Sequence, residues 1–213
     1  DSPSEIGNPS VIILPGTKST IADLEFLHIR GLFEFIKAYS DNGGSVVGIC
    51  GGYQMLGELI HEVPLQIPHF HVFHGLGLLP SKTYFEQEKA TFQIKAVIRN
   101  RRYWLENIRN ESITGYEIHM GKTQLKRDQN WLVIESRSGQ DVSVLDGAMS
   151  SDGKVWGCYI HGLFANQEFR QAWLGSLGWE QNEISGATSF DASLDDLADT
   201  IENALDIDYL DSK

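Results

Sequence analysis

The chain has 213 residues, of which 41% are hydrophobic and 22% charged, enough for one globular domain with a sizeable core. Its formal net charge of -12 argues against nucleic-acid binding, which needs clustered cations to neutralise phosphate. No apolar run approaches the roughly 20 residues that a membrane helix requires, so no membrane partner is expected.

Taken in chain order, Val11-Ile12-Ile13-Leu14 predicts a buried strand closed by Pro15-Gly16. Across 20–39, Ile21, Leu24, Leu27, Leu32, Phe35 and Ile36 recur at helical spacing, which predicts one helix capped by Ser19 or Thr20. The Asp41-Asn42-Gly43-Gly44 turn stops it. A second buried strand, 46–49, runs into Cys50, and a second helix starts at Gly51 or Gly52. Strand, helix, strand, helix with short loops predicts an α/β fold with a mostly parallel central sheet covered on both faces.

The middle of the chain changes character. Residues 70–79, 91–98, 115–121 and 131–135 read as strands of an antiparallel extension. Residues 154–160 form another strand that ends at His161-Gly162, and helices near 166–177 and 194–205 follow. Acidic residues mixed with Leu194, Leu197, Ile201 and Leu205 mark 180–213 as an acidic, helical extension of a single 1–213 domain. The chain begins at Asp1, just before a strand of parallel type, so a fragment lacking its first strand is expected.

Two cysteines, Cys50 and Cys158, make neither a disulfide framework nor a C-x-x-C metal pair. The expectation is a reducing, cytoplasmic setting. His69, His71 and His74 lack a nearby carboxylate or cysteine to complete a site, and His74 faces away from the other two, so no metal is expected. The Pro15-to-Thr20 loop lacks phosphate-loop spacing, so nucleotide binding by this chain alone is not expected.

Gly48, Cys50 and Gly52 form a G-x-C-x-G pattern, the arrangement that holds a nucleophile on a sharp strand-to-helix turn. Side chains two positions either side would collide with neighbouring backbone, and the helix N-terminus favours a thiolate. The Gly51 N–H is then free to serve an oxyanion, with Gly16 or Thr17 as second donor. A free cysteine is more often a small buried hydrophobe, but the preceding strand and the flanking glycines reverse those odds. Such a nucleophile needs a base. His161, at a strand end before a glycine, is the first candidate and His119 the second. Glu117 and His119 share a strand face and either orient a base or substrate, or hold the strand or an interface.

The stretch from Gly48 to Gln54 resembles the nucleophile motif of class I glutamine amidotransferases, three-layer flavodoxin-like domains. Residues 14–24, 75–80, 115–121 and 146–164 narrow the resemblance to the cobyric acid synthase family. The resemblance implies a glutaminase domain with Cys50 as nucleophile, His161 as general base and acid, and Tyr53 and Gln54 near the glutamine. It implies that ammonia passes to an N-terminal ATP- and Mg-dependent synthetase domain, absent from this sequence, which amidates a corrinoid acceptor in cobalamin biosynthesis. A related amidotransferase with another acceptor, or a silent regulatory domain, are the alternatives. Many class I members carry His-x-Glu, but Leu163 stands at that third position, leaving Glu117 or His119 as possible orienter of His161.

Overall fold

The computed structural model describes residues 2–62, 71–108, 112–126, 129–180 and 194–200, apart from the side chains of 86–89. The chain divides into two units, Asp1–Trp179 and Glu180–Lys213. In the second, residues 194–200 are helical and exposed, while the rest of the predicted 194–205 helix lies outside the described residues.

The first unit runs α1 (Pro3–Ile6), β1 (Val11–Leu14), α2 (Thr20–Ile29), α3 (Leu32–Asp41), β2 (Ser45–Ile49), α4 (Gly51–Leu56), β3 (Leu59–Glu62), β4 (His71–His74) and β5 (Ser81–Ile98). After a 3-10 turn at Tyr103–Asn107 come β6 (Ser112–Leu125), β7 (Leu132–Arg137), β8 (Gln140–Asp146), β9 (Ala148–Met149), β10 (Val155–Cys158) and β11 (Ile160–His161). A 3-10 turn at Leu163–Ala165 then leads into α5 (Gln167–Ser176). No helix among the described residues is long and apolar enough to cross a membrane.

The central sheet has the order β1-β2-β10-β9, with β1 and β10 parallel to β2 and β9 antiparallel to β10. Its strands alternate between two cores, as the period of two requires. Val46 and Val155 pack with Leu24, Phe33, Ile36 and Leu56 from the helices. Val47 and Trp156 turn the other way, into a cluster where Trp156 meets Trp104, Trp131, Phe169 and Trp173 at centroid distances of 5.4 to 5.8 Å. The antiparallel strands gather in a second sheet, in which β6 lies between β11 and β5.

Three sequence expectations change. The 20–39 helix is two helices, because Gly31 adopts a left-handed conformation (φ 69) and lets α3 restart with Phe33 and Ile36 still facing the core. Strand β1 is an edge strand, not a buried one: Leu14 is buried but Ile13 is 43% exposed. Within 70–79 only His71–His74 is a strand, and Phe70 lies outside the described residues.

Candidate functional site

Cys50 stands between β2 and α4 with φ 53, one of three non-glycine residues with positive φ among the described residues. Such a conformation is strained for an L-residue and persists only where the surroundings enforce it. The enforcement is visible. The Cys50 amide donates to the Cys158 carbonyl at 2.9 Å, and its carbonyl accepts from the Gln54 amide at 3.1 Å. A Cβ on Gly48 would lie 2.7 Å from the Gly52 carbonyl, and one on Gly52 would lie 2.0 Å from the Leu14 oxygen. The two flanking glycines are therefore what lets α4 press against β1 and β2.

Two neighbours converge on Cys50. Its thiol donates to the Ile118 carbonyl of β6 at 3.3 Å. Gly16 lies between Cys50 and His161: a Cβ there would sit 3.5 Å from Cys50 Cβ and 2.7 Å from His161 Cε1. His161 thus stands beside the cysteine across Gly16. Its Nε2 is buried and has no hydrogen-bond partner. Burial pushes the Cys50 thiol up, opposed by a hydrogen bond from the Gly51 amide and reinforced by Asp146. Burial also pushes His161 down, against a hydrogen bond to the Ile118 backbone and with help from nearby His119. Burial thus works against both the thiolate that the helix N-terminus favours and the imidazolium.

The other predicted residues sit behind this corner. Gln54 is buried, with Oε1 accepting from Thr20 Oγ1 at 2.9 Å and Nε2 donating to the Met120 carbonyl at 3.0 Å and to Tyr159 Oη at 3.2 Å. Tyr53 is buried, its ring edge-on to Tyr159 at 5.3 Å. Both side chains are engaged within the protein, and what they hold directly is α4. Thr17 Oγ1 bonds to Asp23, and its nitrogen lies 3.2 Å from where a Gly51 Cβ would stand.

Glu117 does not reach His161. It is 2% exposed and receives Arg137 through two hydrogen bonds of 2.7 and 3.0 Å, with His119 Nε2 at 3.4 Å. Burial pushes its carboxyl up, but hydrogen bonds from His119 and Arg137 and their charge hold it below the usual range. His119 also contacts the Gly121 carbonyl at 3.2 Å and stacks on Tyr159 at 3.8 Å. These bonds tie Glu117 to Arg137 of β7 and to His119 on its own strand. Glu117 and His119 line a cavity of about 540 Å³ with Phe92, Asp146 and Tyr159, which neither Cys50 nor His161 lines.

Asp146 was not singled out by the sequence. Burial pushes it up to about 6, against hydrogen bonds from the Gly147 and Tyr159 amides. Its folded value lies above the unfolded one, so its contribution to stability is complete below about pH 3.8 and is lost as pH rises through about 6. Asp146→Asn keeps an acceptor for the amides. It is expected to remove up to about 3 kcal/mol of pH dependence between those limits, read as the difference between parent and variant urea-unfolding curves.

Among the described residues no three His, Cys, Asp or Glu side chains stand together as metal ligands; His71 and His74 are exposed on β4, and His69 lies outside the described residues. Cys158 faces the core opposite to that of Cys50 and its thiol points to the Ile160 carbonyl, so the two cysteines are free.

Residues 1–169 match the family model of the CobB/CobQ-like glutamine amidotransferase domain. The chain is 44% identical over 183 residues to the cobyric acid synthase of Roseiflexus castenholzii, covering 85% of this chain and 36% of that protein. It is 40% identical over 211 residues to that of Herpetosiphon aurantiacus, covering 99% and 40%, and 38% identical over 210 residues to that of Dehalococcoides mccartyi, covering 97% and 42%. The chain thus spans about two fifths of the length of these relatives. Among solved structures, PurLQS from Thermotoga maritima superposes with TM-score 0.59 at 19% identity, covering 80% of this chain and 81% of that one. A glutamine amidotransferase superposes with TM-score 0.50 at 16% identity, covering 84% of each chain. These two likenesses bear on the fold alone. With the family model matched over most of its length, the chain belongs to the CobB/CobQ-like glutamine amidotransferase family.

Proposed function

We propose that this chain is the glutaminase part of a cobyric acid synthase, with Cys50 as nucleophile and His161 as general base and acid. The observation that carries the reading is the strained Cys50 corner with His161 packed beside it across Gly16. His161 takes the thiol proton as sulfur bonds to the side-chain amide carbon of glutamine, giving a tetrahedral oxyanion. The Gly51 N–H and one from Gly16 or Thr17 stabilise that oxygen. His161 returns the proton to nitrogen, the C–N bond breaks and ammonia leaves. Water then attacks the thioester, passes a proton through His161 to the sulfur, and glutamate is released. The buried, unpartnered Nε2 of His161 supports this role, since it has an open position for a proton.

The relatives' shared name supports a corrinoid acceptor over another one. Ammonia would then serve amidation of peripheral carboxylates of adenosylcobyrinic acid a,c-diamide, with ATP and Mg held by the N-terminal part of a longer protein. The hydroxyls of Thr17 and Thr20 are bonded to Asp23 and Gln54, which fits a loop serving the cysteine corner and not a phosphate. Two free cysteines fit a reducing, cytoplasmic setting. Burial that disfavours both thiolate and imidazolium fits a domain of low activity by itself, armed when the remainder of the longer protein docks.

An electrophilic glutamine analogue with a diazoketone in place of the amide tests the nucleophile. Peptide mass spectrometry is expected to find the adduct on Cys50, and at least tenfold less of it when glutamine competes. An adduct on Cys158 alone would reverse the assignment.

A further inference from the structure

Among the described residues no carboxylate bonds the His161 ring. Leu163, at the position two residues on, is 1% exposed and packed into the tryptophan core, and Glu117 is taken by Arg137 and His119. The Ile118 backbone bonds the ring at one point, and a second contact is needed to fix the plane of an imidazole whose productive orientation decides the rate. Strand β11 pairs antiparallel with β6, placing His161 directly opposite Tyr116. Directly opposed residues carry their side chains on the same face of a sheet. The two rings are accordingly stacked, 5.2 Å between centroids and 6° from parallel. The strands approach this closely because Gly115 has no side chain: a Cβ there would lie 2.3 Å from the His161 oxygen. On its far edge the imidazole meets Gly16.

We propose that Tyr116 is the positioning residue of this site, its ring face fixing the plane of His161 in place of a carboxylate. The assignment rests on the glutaminase reading above. Tyr116 touches neither sulfur nor glutamine in this scheme; it acts through His161. The face of an aromatic ring also favours a cation above it, so the stack supports the imidazolium that forms when Cys50 gives up its proton. The titratable groups around the ring are Cys50 on one side and His119 on β6. Neither is a carboxylate, so the contacts that favour the imidazolium are the Ile118 backbone, which bonds the ring, and the aromatic face of Tyr116. Tyr116 is 44% exposed, so its replacement removes little core packing.

The test is glutamine hydrolysis against pH in the longer protein that carries this chain, comparing Tyr116→Phe, Tyr116→Leu and Cys50→Ala. Tyr116→Thr, a strand-favouring alternative, replaces the leucine variant if that one fails to fold. Phenylalanine keeps the ring face, and its kcat and acid limb are expected to match the parent within about twofold. Leucine or threonine is expected to lower kcat about tenfold with KM little changed. Either should move the acid limb of kcat/KM about half a unit to lower pH, since loss of the ring face disfavours the imidazolium. An unchanged kcat and acid limb in the non-aromatic variants would overturn the proposal, as would a phenylalanine variant as impaired as they are. If Cys50→Ala still hydrolysed glutamine, the glutaminase reading itself would fall, whatever Tyr116 does.

Discussion

Cys50→Ala is expected to lower glutamine-dependent turnover of the longer protein by about four orders of magnitude, while a high concentration of ammonium salt still supports amidation of the acceptor. The loss is chemical and not structural. Alanine at φ 53 bears the same kind of strain as cysteine, and the backbone bonds to Cys158 and Gln54 do not involve the sulfur. The thiol makes only weak hydrogen bonds, donating to Ile118 and accepting from the Gly51 amide, so unfolding curves should differ little between parent and variant. Cys50→Ser is expected to be nearly as inactive. A hydroxyl is far harder to deprotonate than a thiol, and the burial that pushes His161 down makes that imidazole a weaker base still. Glutamate formation from glutamine reads both variants, and full glutamine-dependent turnover in Cys50→Ala would remove the nucleophile from the scheme.

Gly52→Ala is expected to be the most damaging substitution for the fold. Exchanging glycine for alanine inside a helix ordinarily stabilises it by about 1 kcal/mol. Here the added Cβ would stand 2.0 Å from the Leu14 oxygen and 2.6 Å from its carbonyl carbon, both backbone atoms of β1 that have no rotamer to change. Relief requires α4 to move off the sheet, which should cost about 3 kcal/mol or more. For a domain of this size that lowers Tm by roughly 6–12 °C. Gly175 in α5 is the internal comparison, since a Cβ there meets nothing within 4 Å. Gly175→Ala should therefore raise stability by about 0.5–1 kcal/mol. Opposite signs for two Gly→Ala changes in helices separate the close approach at 52 from propensity. Equal effects would mean that α4 does not press on β1.

The comparison of these glycines bears on what the sequence could tell. The Cys50 corner was legible because its cause is local: an apolar run, a nucleophile and three glycines within residues 46–52 dictate the turn. His161 was legible as a strand end followed by glycine. The break at Gly31 was hidden by an apolar spacing that runs through it, although the glycine itself was the available sign. Strand β5 begins at Ser81, earlier than the 91–98 stretch predicted, because its first half is polar and lacks apolar alternation. The partners of Glu117 and Tyr116 were not legible. Arg137 reaches Glu117, and His161 reaches Tyr116, through strand registers that no spacing along one segment encodes. Likewise the resemblance placed Gln54 near the glutamine, but the partners of its side chain, 34, 66 and 105 positions away, were not legible in the local motif.

Strand β6 joins these two levels. Its odd-numbered Glu117 is buried against an ion pair, with His119 beside it, while its even-numbered Tyr116, Ile118 and Met120 are exposed. Changes of side chain in the even row can retune the cysteine corner with little penalty to folding, and changes in the odd row do the reverse. Changes of length have no such freedom. Inserting or deleting one residue between Gly115 and Gly121 would exchange the rows, burying what must face out and expelling a carboxylate with its partners. Diversification along this strand should therefore proceed by substitution alone, with the number of residues between those two glycines held constant.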